Sequence, residues 1–406
     1  MSTRPKQRPK SKPRPKAKVR KKSPDLIFLS TLLLILLFGI IMVFSASYYF
    51  AMTKIGNQYH FVKRQAALGL AGLIIMFIII FFMDYRWLRN RLIVLLGYFG
   101  SLSLVLFVII AGVEKKGAQR WIEIGGITFQ PSEIVKVTVI IALSAFIVRN
   151  QDKMHRWSYI IVSWLIVLVP AVVIATENLS SAIVVLFVGA VIIFVSSKRV
   201  GYFLILGGLG LGGSIYAYNL AMTSDPTQEF PGIKGKILKQ YRLNRLRVWK
   251  NPWLDPQVGG YQAIQSLYAV GSGGLFGLGL GKGEQKLGFI PEPHNDIIFA
   301  VIAEELGLVG AAGLIIAFTI LVIRGLIIAA QAQDLFGMLL ATGLSSMIGI
   351  QVLINVAVNT NTIPTTGMQL PFISYGGTAL VVALASMGII LNISRFAKVR
   401  KTDGLK

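Results

Sequence analysis

The chain contains no cysteine, which excludes disulfides, thiolate nucleophiles and Cys-ligated metals. Histidine is nearly as scarce. His60, His155 and His294 are scattered and form no HExxH pattern, so a His-rich zinc centre is not expected. Charge is also thin: 14% of the 406 residues are charged and 54% are hydrophobic. A soluble domain carries about 25% charged residues, so an ordinary cytosolic enzyme is excluded. The apolar content excludes disorder over most of the length. Acids are the scarcer sign, with 17 Asp+Glu against 41 Lys+Arg and a net charge of +24.

Eleven of the basic residues, Arg4 to Lys22, fall in residues 1–24 with no acid and many prolines. Such a block buries no core and reads as a disordered cytoplasmic arm. Nucleic acid is not the expected partner, because no aromatic residue interrupts the arm to stack on bases. Anionic membrane lipid suits the charge better.

The apolar residues arrive in long uncharged blocks, and a helix crossing a bilayer needs about 20 of them. Ten blocks are predicted to span: 26–49, 62–84, 91–112, 132–149, 158–176, 180–197, 201–222, 296–328, 335–358 and 374–394. The expected fold class is an all-α polytopic membrane protein with ten transmembrane helices. A large extracellular loop, 223–295, separates the seventh and eighth. The first block has a signal-peptide alternative, since Ser45-Ala46-Ser47 offers a small-x-small site. Its uncharged run exceeds the usual h-region of about 7–15 residues, which favours an uncleaved anchor. With the N-terminus in the cytoplasm, inner segments hold 25 of the 41 basic residues. Both termini of this cell-membrane protein are then cytoplasmic, and the organisation is an arm (1–24), a membrane domain (25–395) and a tail (396–406).

Nine cations fall in the outer segment: Lys234, Lys236, Lys239, Arg242, Arg245, Arg247, Lys250, Lys282 and Lys286. They could bind phosphate or pyrophosphate, or form a solvated face, since long loops translocate regardless of charge. Ile233 to Trp249 reads as an amphipathic helix and Tyr261 to Val270 as a second short one. Between Gly271 and Gly283 lies a Gly-rich run that is not a Walker loop, because Lys282 is followed by Gly283 and no strand precedes it. Its backbone must bend close to something, either a packed helix or a phosphate-bearing ligand.

Three further stretches carry chemistry. In Pro291-Glu292-Pro293-His294-Asn295-Asp296, Asp296 stands where the outer loop enters an apolar helix. There it could accept a proton from a hydroxyl or simply cap the helix. Glu304 and Glu305 follow deeper in the same helix, Glu304 near the face of Asp296. Intramembrane acids are functional candidates unless paired with a neighbouring cation. The second stretch holds Arg120-Trp121 and Gln130-Pro131-Ser132-Glu133, with Lys136 one turn after Glu133. That i,i+3 pair is a neutralising salt bridge or a cation placed for an anionic ligand. The third, Asn359 through Gly377, contains Ser374 and Tyr375 and is rich in hydroxyl, amide, Pro and Gly residues. It is either a plain outer hairpin or the wall of a polar cavity.

These stretches, in this order, resemble the SEDS family of polytopic bacterial cell-wall polymerases. The resemblance rests on Gly117-Ala118-Gln119-Arg120-Trp121-Ile122, Phe129 to Glu133, Pro291 to Asp296, Glu304-Glu305-Leu306-Gly307, Pro364-Thr365-Thr366-Gly367 and Leu370 to Gly377. It covers roughly residues 25–395 and is closest to the division-type members, with elongation-type and sporulation-type members near. It implies a peptidoglycan glycosyltransferase that polymerises lipid II outside the membrane beside a class B penicillin-binding protein and other divisome proteins. It places the essential aspartate at Asp296 and the family's cavity pair at Glu133 and Lys136. Arg120, Lys282, His294, Glu304, Ser374 and Tyr375 are further candidates for holding substrate. No soluble cofactor is implied; a divalent cation, Mg or Mn, could assist, although no dedicated cage is visible. One departure from the family pattern, Thr176-Glu177-Asn178-Leu179-Ser180, is expected to lie away from the chemistry. A transporter or flippase fits the ten spans and buried ionisable residues too, but no internal repeat supports it. A scaffold acting through the basic arm is the third reading.

Overall fold

The computed structural model describes residues 22–115, 118–124, 127–176, 178–197, 201–223 and 240–397. Most of the basic arm, the loop stretch 224–239 and the tail 398–406 lie outside the described residues.

Helices form where the apolar blocks stand, and polar residues set their starts. Asp25 caps α1 (Leu26–Ile55) by accepting the Phe28 N–H at 2.9 Å. After α2 (His60–Phe82), Asn90 caps α3 (Arg91–Ala111). Pro131 occupies the first turn of α4 (Pro131–Arg149), where its missing N–H costs nothing. The chain continues through α5 (Trp157–Ala175), α6 (Leu179–Ser196, capped by Asn178) and α7 (Gly201–Thr223). Two short helices follow, α8 (Gln240–Lys250) and α9 (Tyr261–Ser272). The bundle closes with α10 (Ile298–Ala330), α11 (Leu335–Asn359, capped by Asp334) and α12 (Thr378–Arg395).

Among the described residues, nine helices are long and apolar enough to cross a membrane. The expected span at 201–222 forms the helix α7, which is not among those nine. Lys22 N–H donates to Arg395 O at 2.9 Å and Asp25 N–H to Ser394 Oγ at 3.1 Å, so both ends of the membrane domain meet at one end of the bundle. Arg324, late in α10, bonds Asp25 there. Asn178 places the start of α6 at the other end, beside residues just before α10. Helix α6 therefore ends near the termini, whereas α8 lies at the far end, where Arg247 donates to Ala221 O.

The purely helical expectation needs one correction. Residues between α3 and α4 form a three-stranded antiparallel sheet, β1 (Val113–Lys115), β2 (Ala118–Ile124) and β3 (Ile127–Phe129). Strands of three to seven residues leave too little alternation in the sequence to separate them from a polar loop.

Close helix packing relies on small residues. A Cβ on Gly72 of α2 would stand 2.6 Å from Leu384 of α12. Asn392, fully buried on α12, donates to the carbonyls of Ile79, Ile80 and Met83, the unpaired end of α2.

Candidate active site

The connection between α11 and α12 enters the bundle instead of crossing its surface. Gly39, midway along α1, touches it so closely that a Cβ there would lie 2.5 Å from the Phe372 carbonyl. Gln65 of α2 donates to Ser374 O at 3.1 Å. The path requires unusual backbone, with φ of 65° at Phe372 and 68° at Gly367. Non-helical backbone at this depth must be satisfied by protein or line a cavity, and here both hold. The connection walls a cavity of about 660 Å³ at the end of the bundle opposite the termini. Asp296, Glu133, His294, Ser374 and Tyr375 all line it.

Asp296 is half-buried in the turn before α10. The capping position of that helix is Ile297, with no side-chain cap bond, so helix capping does not explain the aspartate. Its carbonyl accepts from Asn355 Nδ2 at 2.9 Å and Asn359 Nδ2 at 3.1 Å, both on α11. Its carboxylate faces Gly367, where an added Cβ would stand 3.3 Å from Oδ2.

Glu133 and Lys136 sit one turn apart on α4 and form the predicted ion pair at 2.8 Å. Glu133 reaches the cavity, while Lys136, 2% exposed, lies behind it. Arg120 belongs to β2, but its side chain lies outside the described residues; Trp121 beside it lines the cavity. His294 is 2% exposed and boxed by the rings of Phe61, Phe50 and Tyr375, with centroids at 4.2, 5.4 and 5.6 Å. Ser374 works as a brace: its hydroxyl donates to Asn295 O and accepts from Leu370 N–H, both at 2.8 Å.

Two candidates stand elsewhere. Lys282 is exposed and outside the cavity lining, and Glu304 is fully buried and also outside it. Both belong to a clamp around the Gly-rich run. Helix α10 breaks at Gly307, with φ 66° and ψ −166°, which interrupts its hydrogen-bond ladder. The run supplies the missing partners. Leu278 and Gly279 N–H donate to the carbonyls of Glu304 and Glu305 at 3.0 and 2.9 Å. Leu308 and Val309 N–H donate to the carbonyls of Gly274 and Leu275 at 2.9 and 3.1 Å. Glu304 Oε1 accepts from the backbone N–H of Glu284 and Gln285, and Glu305 accepts from Gly281 N–H, Ser45 Oγ and Lys286 Nζ. Of the two readings of the glycines, the packed helix is the one these bonds describe.

A profile of the FtsW, RodA and SpoVE cell cycle proteins matches residues 25–399. The chain belongs to this family. It is 38% identical to Stage V sporulation protein E of Bacillus subtilis over 385 residues, covering 93% of this chain and 99% of that protein. It is 37% identical to a probable peptidoglycan glycosyltransferase FtsW of Geobacter sulfurreducens, covering 91% and 95%. Among solved structures, a chain of a peptidoglycan synthase complex described as coordinating polymerization and crosslinking aligns with TM-score 0.71 at 26% identity, covering 92% and 98%. The rod shape determining protein RodA of Thermus thermophilus aligns with TM-score 0.62 at 25% identity, covering 92% and 97%. The chain is thus a multi-pass membrane protein of the family, as its apolar helices require.

Several cavity residues of this family member escaped the sequence reading. Asn178 and Ser181 line the cavity, so the departure at Thr176–Ser180 borders the site instead of lying away from it. Phe50 and Phe61 supply aromatic wall, and their apolar character hid them among the residues of two spans. Asn355 of α11 is buried outside the cavity lining, and Asn359, the first residue of the third stretch, lines it. Of the loop cations, Arg245 lines the cavity and donates to Thr365 O at 3.2 Å.

Proposed function

We propose that the chain is a peptidoglycan glycosyltransferase that polymerises lipid II at the outer face of the cytoplasmic membrane. The observation that carries this reading is Asp296, which lines a polar cavity where the outer segment enters an apolar helix. The relatives named peptidoglycan glycosyltransferase FtsW support it. In this reading both termini are cytoplasmic, because Lys22 and Arg395, where the membrane domain begins and ends, meet at the end opposite the cavity.

Asp296 takes the proton from the 4-hydroxyl of the acceptor GlcNAc. That oxygen attacks the donor MurNAc C1 and inverts it, while the bond from C1 to the undecaprenyl pyrophosphate breaks and the pyrophosphate leaves with the electron pair. Negative charge grows on the leaving group, and fixed cations facing it lower the barrier. Arg245, which lines the cavity, can supply such a field; Lys136 stands behind Glu133, and it, Arg120 and the other cations of 234–250 are candidates from sequence. The exposed apolar sides of α2, α3 and α5 suit contact with polyprenyl tails in the bilayer. Among the described residues no three His, Asp or Glu side chains converge to hold a metal, so no step is assigned to one. A divalent cation such as Mg or Mn would arrive on the pyrophosphate. A class B penicillin-binding protein is the proposed partner, consistent with the likeness to a chain of a peptidoglycan synthase complex. Septal synthesis is the proposed setting, with sporulation the alternative that the SpoVE relative favours.

The test uses purified full-length protein with that partner and labelled lipid II. Glycan polymer from the wild type, and none from Asp296→Asn inserted equally well, is the expected result. Transfer of lipid between leaflets without polymer would establish a flippase instead. Polymer made at wild-type rate by Asp296→Asn would remove the assigned base.

A further inference from the structure

Asn355 and Asn359 stand one turn apart on α11, 0% and 1% exposed. Asn355 Nδ2 donates to Asp296 O at 2.9 Å and to Met368 O at 2.6 Å, using both its amide hydrogens. Asn359 Nδ2 donates to the same Asp296 carbonyl at 3.1 Å and back to Asn355 O at 2.8 Å. Asn359 Oδ1 faces Ala300 N–H at 3.3 Å in the first turn of α10, and Asn359 O accepts from Ser266 Oγ of α9 at 2.8 Å.

The pair therefore ties four segments together around one residue. Asn355 bonds backbone on both sides of the Asp296 carboxylate: Asp296 itself, and Met368, next to the Gly367 that the carboxylate faces. Two amide donors on one carbonyl fix the orientation of the peptide that follows Asp296. Neither amide lines up with the acid group, so neither acts on its proton directly. Buried side-chain amides in an apolar bundle carry a desolvation cost unless every donor is used, and here each is used, one from each amide on the acid's own carbonyl.

We propose that Asn355 and Asn359 are positioning residues that hold Asp296 at its working distance from the α11–α12 connection. The inference rests on Asp296 being the base. Misplacement by about 1 Å at a reacting group can cost on the order of 100-fold in rate. Asn355→Ala and Asn359→Ala should each lower the polymerisation kcat by about 10-fold, and the double variant by about 100-fold. The KM for lipid II should stay within about twofold for Asn355→Ala, because Asn355 is buried outside the cavity lining.

The experiment uses the full-length chain with its penicillin-binding partner and labelled lipid II, and reads kcat, KM and the stoichiometry of lipid II binding. A merely structural role would lower binding stoichiometry in step with kcat, and that result would overturn the proposal. So would a double variant whose kcat equals the wild type's. Asn355→Ser, which keeps one donor, should recover part of the Asn355→Ala loss and guards against misfolding of the alanine variant. The comparison is made only against a wild type that polymerises and an Asp296→Asn that does not. If that contrast is absent, the base assignment has failed and the proposal falls with it.

Discussion

Asp296 and Glu304 lie eight residues apart at the head of one apolar helix, yet their surroundings are opposite. Asp296 has its backbone bonded by two amides while its carboxylate opens on a cavity. Glu304 Oε1 and both carboxylate oxygens of Glu305 are held by backbone N–H groups, a serine and a lysine, with no solvent access. An acid in a membrane helix is therefore no sign of catalysis by itself. What separates the two surroundings is where the carboxylate stands, beside a cavity or inside a packed loop. The first acid borders the cavity; the second pair stitches a broken helix to its loop.

Exchanging the two roles by mutation is the strongest way to break this comparison. Asp296→Asn should lower polymerisation by about 100- to 10,000-fold with no loss of thermal stability. Glu305→Gln should show the reverse pattern, lower stability with the rate per folded molecule retained. Polymerisation assays run beside thermal unfolding of the same samples check both; equal behaviour of the two variants would dissolve the distinction.

Lys286→Met attacks the clamp from the other partner. The Glu305–Lys286 pair is buried on both sides, and removing one charge leaves the other uncompensated at a cost of about 3–5 kcal/mol. Replacing both with apolar side chains should recover most of that loss, which a double-mutant cycle on unfolding measures.

Gly307→Ala tests the break in α10. The backbone there has φ 66°, and a Cβ would meet Gly277 N at 2.4 Å and Leu275 O at 2.5 Å. Strain of about 1–3 kcal/mol is expected before the clash is counted, and susceptibility of the 273–283 run to limited proteolysis should rise.

The smallest effect is expected at the far end. Burial pushes the Asp334 carboxyl up, but the Gly337 N–H, the Tyr85 hydroxyl and Arg86 outweigh it and hold the group below the usual aspartate range. Its folded value is the lowered one, so its stabilisation is complete above the unfolded value near about 3.9 and fades as pH falls through the folded value. Asp334→Asn should cost about 1 kcal/mol at neutral pH, as a partly exposed pair does, should flatten that acid limb in a stability-versus-pH titration, and should leave the polymerisation rate alone.

The sequence by itself determined the helices and the acid. Long uncharged runs admit no other structure in a bilayer, since every backbone group must be bonded internally, and an aspartate at the mouth of such a run stands out against so apolar a background. The small sheet at 113–129 was not legible, because two of its three strands are only three residues long and carry no period. Nor could the sequence assign Glu304 to the loop rather than the cavity, or distinguish the buried amides of α11 from ordinary packing. Those assignments depend on which backbone groups a broken helix and a dipping loop leave unpaired. Only the folded chain sets that, because hydrogen bonds between residues as far apart as 45 and 305 or 296 and 359 exist only once the helices have packed.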